Sequence, residues 1–216
     1  MWLQNQRRRL ATALLAVLVV AGGILAIPAP RHALLRAMGW MLVAEDPARQ
    51  ADIVVVSTDS LAAGVLEAAK LVDLGLAQRV AVFERDPNPL ARELTRRGLP
   101  RLDLQAYSID LLHALGISDV ELIPAVVGTV DEGQVLQQWC SAKGIRSVLF
   151  VSVADHSRRT RRVLSRTLGG HGITVMVRWA RLSQFDPDTW WQTRGGQRVE
   201  IVESQKLLVD ILRHPF

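Results

Sequence analysis

The sequence contains a single cysteine, Cys140. This excludes an intrachain disulfide and any paired-cysteine metal site. An oxidising compartment is allowed but leaves no mark. Five histidines are scattered along the chain, no two at ligand spacing, and no metal site follows from them. There is no Gly-x-Gly-x-x-Gly fingerprint, no Walker lysine motif and no Gly-x-Ser-x-Gly elbow. No cofactor can be named on these grounds. A Ser/His/Asp hydrolase would need Ser57 or Ser152, His156, and Asp131 or Asp59, residue types that any domain supplies by chance. Internal repeats and low-complexity segments are also missing. The 26 basic and 21 acidic residues leave a net charge of +5. Three of the positive charges are Arg7, Arg8 and Arg9, so the remainder does not suggest a nucleic-acid partner.

Charge is absent altogether from Leu10 to Ile27, eighteen consecutive residues that follow the three arginines directly. A helix of that length is about 27 Å long, enough to cross a bilayer core. Arginines stay on the cytoplasmic side, which sends everything after Ile27 outward. A cleaved signal peptide has a shorter apolar core, ~7–15 residues, and a small-residue cleavage site. Pro28 and Pro30 sit awkwardly for such a cut, so the run reads as an uncleaved anchor. The expected layout is a cytoplasmic basic segment at 1–9, a transmembrane anchor at 10–27, a connector at 28–50 and an extracytoplasmic domain at 51–216. In the connector, Leu34, Leu35, Arg36, Met38 and Trp40 suit either a membrane interface or a packed first helix. The bilayer is then an expected partner, crossed once with the N-terminus inside.

Beyond the connector, short β-branched runs alternate with helical pattern. Strands are predicted over 52–57, 79–83, 120–123, 147–152 and 173–177. Helices are predicted over 61–74, 89–97, 104–115, 129–143, 156–168 and 199–212, several of them stopped by glycine. This alternation specifies an α/β domain with a parallel sheet covered by helices on both faces. Ligands of such sheets bind beyond the carboxyl ends of the strands. The residues placed there are Ser57, Asp59, Thr129, Asp131, Glu132, Ser152, His156 and Arg159.

Two of these segments carry most of the polar chemistry. Thr129 with Glu132 matches a capping box, and Asp131 or Glu132 at the same helix start could serve as an acid, base or ligand. The segment from Ser152 to Thr160 holds His156, Arg158 and Arg159 directly after the fourth strand. Arginines at a helix start oppose the helix dipole unless an anion is bound there. Arg161, Arg162 and Arg166 read instead as a solvated basic face. Cys140 reads as a small core residue. Trp190 and Trp191 could line a pocket, meet the membrane, or pack against the last helix.

The order of these features resembles the YdcF/SanA/ElyC-like family of bacterial envelope proteins. The matching residues are Ala51 and Asp52 before Ile53 to Val56, then Leu115 to Ile117 and Thr129 to Glu132. Ser152, His156 to Arg159, and Trp190 and Trp191 before the tail from Glu203 to Leu212 complete the match. The resemblance implies a Rossmann-like three-layer domain with a mainly parallel sheet of about five strands, preceded by one N-terminal transmembrane helix. It also implies a role in envelope polysaccharide or peptidoglycan-precursor metabolism, or in barrier integrity. With the arginines at the helix start, the expected ligand is an anionic envelope precursor, phosphorylated or lipid-linked. The family's glycine pair after the first strand is absent, as is the arginine that opens the next helix. Ser57, Thr58, Asp59, Ser60 and Leu61 stand there. Two functions remain open: an enzyme using His156 and Asp131, with Thr129, Glu132, Ser152, Arg159, Ser57 and Asp59 holding the ligand, or a non-catalytic scaffold.

Overall fold

The computed structural model describes residues 26–85, 89–100, 103–126 and 128–215, together with Gln6 and Gly23. The anchor expected at 10–27 lies outside the described residues except for Gly23, Ala26 and Ile27. Among the described residues no helix is long and apolar enough to cross a membrane.

Five strands form one sheet: β1 (Ile53–Val56), β2 (Val80–Phe83), β3 (Val120–Ile123), β4 (Ser147–Ser152) and β5 (Thr174–Trp179). Their order is β3-β2-β1-β4-β5, and every neighbouring pair is parallel. Each predicted strand is present. The central ones are apolar at every position because both faces are covered. Val54, Val56, Val80, Val82, Leu149 and Val151 point into one core, against α2 (Leu61–Asp73) and α4 (Leu104–Ala114). Their alternates Ile53, Val55, Ala81, Phe83, Val148 and Phe150 point into the other, against α5 (Thr129–Lys143) and α6 (Ser157–Gly169). The period of two along each strand thus fills both layers.

A third cluster closes the carboxyl end of the sheet. It joins Leu42 and Val43 to Ala154, Trp179, Phe185, Trp190 and Leu207. Two helices meet here, α1 (Pro28–Leu42) and the long α7 (Arg194–Arg213). Residues 28–42 of the connector therefore pack as the domain's first helix, one of the two readings open for that stretch. Trp190 Nε1 donates to Leu35 O at 2.7 Å, so packing also accounts for that tryptophan. Gly39 is required at the crossing. A Cβ there would lie 2.4 Å from Pro187 O and 2.7 Å from Trp190 Cδ1. A short helix, α3 (Pro89–Arg96), follows β2.

Asp52, of the Ala51-Asp52 pair, sits at the amino end of the sheet. Its Oδ2 accepts from Arg146 N and Ser147 N, both at 2.8 Å. The hydrogen bond from Arg146 N leads the causes that hold its carboxyl below the usual range. Asp52 thus ties β1 to β4 at the end of the sheet opposite the carboxyl ends of the strands.

Candidate functional site

In the order β3-β2-β1-β4-β5 the connections leave β1 and β4 in opposite directions, so a crevice opens between their carboxyl ends. The chain after β1 turns sharply there. Ser57 N donates to Val151 O at 2.9 Å, and Ser60 Oγ donates to Ser57 O at 2.9 Å. Leu61, the first residue of α2, has φ +43°, the one positive φ at a non-glycine among the described residues. That conformation is strained for a γ-branched side chain. Asp59, Ser60, Asp155 and His156 line a cleft of about 550 Å³ together with the apolar Leu61, Val153, Leu182, Phe185 and Val199.

His156 is held between two carboxylates. Its Nδ1 lies 2.9 Å from Asp155 Oδ2 without making an aligned hydrogen bond, and its Nε2 lies 3.2 Å from Glu203 Oε1 on α7. Burial alone would lower its pKa. The Asp155 and Glu203 charges outweigh burial and raise it to about 9. Glu203 responds in the opposite sense. Burial would raise its pKa, but His156, Lys206 and Arg159 together bring it down to about 2. Lys206 Nζ is 2.7 Å from Glu203 Oε1, and Arg159 Nη2 is 3.2 Å from Oε2. One turn back on α7, Glu200 is fully buried. Burial raises its pKa, and Ser204 Oγ donates to it at 3.1 Å.

The expected site therefore divides. His156 and Asp59 line the cleft between β1 and β4. Arg159 instead lines a separate groove of about 570 Å³ beside α7, and Arg166 lines the same groove. Asp131 lines neither. The expectation that His156 and Arg159 face the Thr129 to Glu132 helix start across one cleft is corrected in part: Arg159 shares its groove with Val130 of that helix start, whereas His156 lines the other cleft. The Arg159 guanidinium shares Glu203 with His156, each on one carboxylate oxygen.

The capping box is not formed. Gly128, at φ 87°, occupies the cap position, and Thr129 is the first helical residue. Thr129 is buried. Glu132 reaches across to the β1–α2 turn, where Oε1 accepts from Thr58 N and Thr58 Oγ1, both at 3.0 Å. Burial leads the causes that raise its pKa. It is a brace between α5 and the crevice loop. Ser152 is buried with its Oγ 3.5 Å from Thr160 Oγ1, and buried Ser57 lies with its Oγ 3.4 Å from Ser60 Oγ. Neither lines the cleft.

The basic row of α6 is engaged by partners along its length, although Arg161 stays exposed as expected. Arg158 Nη2 donates to Val43 O at 2.6 Å and to Trp40 O at 3.3 Å. Arg161 Nη2 lies 2.7 Å from Asp46 Oδ1. Arg162 Nε and Arg166 Nη2 meet Asp210 at 2.6 and 2.5 Å. These arginines fasten α1, its following loop and α7 to α6. Asp155, Glu203, Glu200 and Leu61 were missed from the sequence. A signal for two of them existed, because Glu200, Glu203 and Leu207 recur at three and four residues on one helical face. Cys140 is fully buried, and burial pushes its thiol up to about 12, which suits a core residue. Among the described residues no group of three or more His, Cys, Asp or Glu side chains is placed to hold a metal ion.

Sheet order and layering define an α/β domain with a five-stranded parallel sheet, Rossmann-like in its three layers. No protein-family model matches the chain, and no curated protein matches it. Several solved structures share part of the architecture. One is a universal stress protein in complex with cAMP, 16% identical, covering 59% of this chain and 96% of that one, with a TM-score of 0.34. Another is the rRNA methyltransferase AviRa from Streptomyces viridochromogenes, 14% identical, covering 70% and 73%, with a TM-score of 0.30. A third is HcgE from Methanothermobacter marburgensis bound to guanylylpyridinol and ATP, 13% identical, covering 80% and 100%, with a TM-score of 0.29. Likeness this partial leaves function to the residues themselves.

Proposed function

We propose that this chain is a single-pass protein of the bacterial cytoplasmic membrane, N-terminus inside, whose α/β domain serves envelope biogenesis as a binding module. The cleft between β1 and β4 takes the sugar portion of an envelope precursor. Sugar hydroxyls are hydrogen-bond donors, and Asp59 and Asp155 offer acceptors beside the apolar wall of Leu61, Leu182 and Phe185. The observation that carries binding rather than turnover is the state of His156. It is charged at neutral pH and engaged by two carboxylates, so it offers no free base. Asp131 and Arg159, its expected helpers, do not line the cleft.

The test is a screen of the full chain against nucleotide sugars and lipid-linked sugars, repeated with Asp59→Ala. Asp59 is exposed, so its loss should weaken binding about tenfold, the size of one charge-assisted hydrogen bond, without lowering thermal stability. Affinity unchanged by Asp59→Ala would remove the cleft from the proposal. A second reading, an enzyme with charged His156 as general acid, is favoured by the strained Leu61 backbone at the rim, since such strain gathers at functional sites. Precursor turnover that vanishes in His156→Gln would select it.

A further inference from the structure

The last helix, α7, is amphipathic in an unusual sense. Its acids, Glu200, Glu203 and Asp210, all turn inward to the domain. Its other side exposes Ile201, Leu208 and Leu212, at 57, 56 and 72% of their surface. These recur at seven and four residues and so form one stripe. Val202 and Val209 are exposed beside them. Arg194, Arg198 and Arg213 are exposed along α7, Arg213 at the edge where Asp210 lines the same groove, and no acid of α7 is exposed among them. Where α7 meets α6, Val130, Val163, Val202 and Val209 contribute apolar surface to the groove of about 570 Å³, and Arg213 also lines it.

Two features identify what covers this face. First, α7 packs beside α1 through Leu35, Met38, Val199 and Leu207. α1 directly follows the uncharged run from Leu10 to Ile27, so the anchor expected there would hold α7 close to the bilayer. Second, the charges on the face have one sign. A second copy of this chain placed symmetrically would set arginines against arginines. An anionic lipid surface complements them, and apolar side chains beside arginines are what an interfacial helix presents.

We propose that the outward face of α7 rests on an anionic lipid bilayer, with Ile201, Leu208 and Leu212 entering the interfacial layer and Arg194, Arg198 and Arg213 meeting lipid phosphates. This rests on the membrane anchoring proposed above. The domain is then held at two points, and its orientation to the bilayer is set by α7.

A nitroxide on Leu208→Cys reads the depth of this face, because the native Cys140 is fully buried. The full chain is placed in vesicles of phosphatidylglycerol and phosphatidylethanolamine. The label should collide more with oxygen than with a water-soluble nickel relaxant. The same label on Leu74→Cys, just past α2 at the amino edge of the sheet, should show the reverse. Phosphatidylcholine vesicles or high salt should return the Leu208 label to water. Arg198→Gln and Arg213→Gln should each lower the docked-to-undocked ratio roughly fivefold. A Leu208 label as nickel-accessible as the Leu74 label in anionic vesicles overturns the proposal. Dipolar broadening between Leu208 labels that ignores lipid charge also overturns it, and gives the face to a second copy. Alkaline carbonate extraction tests the anchor separately. If the protein is extracted, the anchoring reading falls, and the label is then read on the extracted chain with vesicles added.

Discussion

At the scale of single residues, the molecule spends its buried charges on joining helices. His156 and Glu203 couple the start of α6 to α7, and their pKa values diverge to about 9 and about 2. A histidine raised above its ordinary 6.5 contributes stability that is complete below 6.5 and lost as pH rises through 9. Glu203, depressed from 4.5, contributes stability that is complete above 4.5 and lost as pH falls toward 2. The contribution of this pair should therefore be greatest between about pH 4.5 and 6.5 and fall from 6.5 to 9, while buried Glu132 and Glu200, raised above 4.5, withdraw stability as pH rises above 4.5. His156→Gln should remove the alkaline slope and cost about 2 kcal/mol at pH 6. That is less than the ~3–5 kcal/mol for breaking an isolated buried pair, because Glu203 keeps Arg159 and Lys206. Denaturant titrations at several pH values measure both. A slope that persists in the variant would assign it to another group.

At the scale of elements, much was legible because local pattern decides it. The run Ile53 to Val56 can only be a strand buried on both faces, and each helix that ends in glycine leaves its stop signal in the sequence. The capping box was misread because Gly128, one residue earlier, takes the cap with a backbone that glycine adopts freely. The basic row of α6 was misread for a different reason. Its partners, Asp46, Asp210, Glu203 and the carbonyls of Trp40 and Val43, lie far away in the chain, and no periodicity reveals them. The division of the site has the same origin, since Glu203, distant in sequence, decides where Arg159 points. One element-scale prediction concerns α1. Gly39→Ala places a methyl against the Pro187 carbonyl and the Trp190 ring, neither of which can swing aside. It should destabilise the domain by about 1–3 kcal/mol, the range for overpacking. Thermal unfolding measures it, and a variant as stable as the parent would mean that α1 is only loosely docked.

For the whole molecule, topology is the decisive property. If Arg7 to Arg9 hold the N-terminus inside, a reporter fused after Phe216 that works only outside the cytoplasm should be active. Activity of a cytoplasm-only reporter at the same place would refute both the location and the envelope role. With the C-terminus outside, α7 would lie on the outer leaflet and the β1–β4 cleft would be filled from the extracytoplasmic side.

The Asp52 tie has a consequence for how the chain is made. Asp52 and its partner Ser147 are 95 residues apart, so the central strand β1 is synthesised long before its second neighbour β4 exists. During that interval β1 has β2 on one edge and an open row of backbone donors and acceptors on the other. Late, non-local pairing of this kind slows folding and leaves an apolar edge free to associate wrongly. The carboxylate that will accept the β4 amides stands solvated at the end of that edge, and a lone charge there disfavours pairing with a stranger. The same aspartate can thus act first as a gatekeeper of the nascent sheet and only afterwards as its rivet.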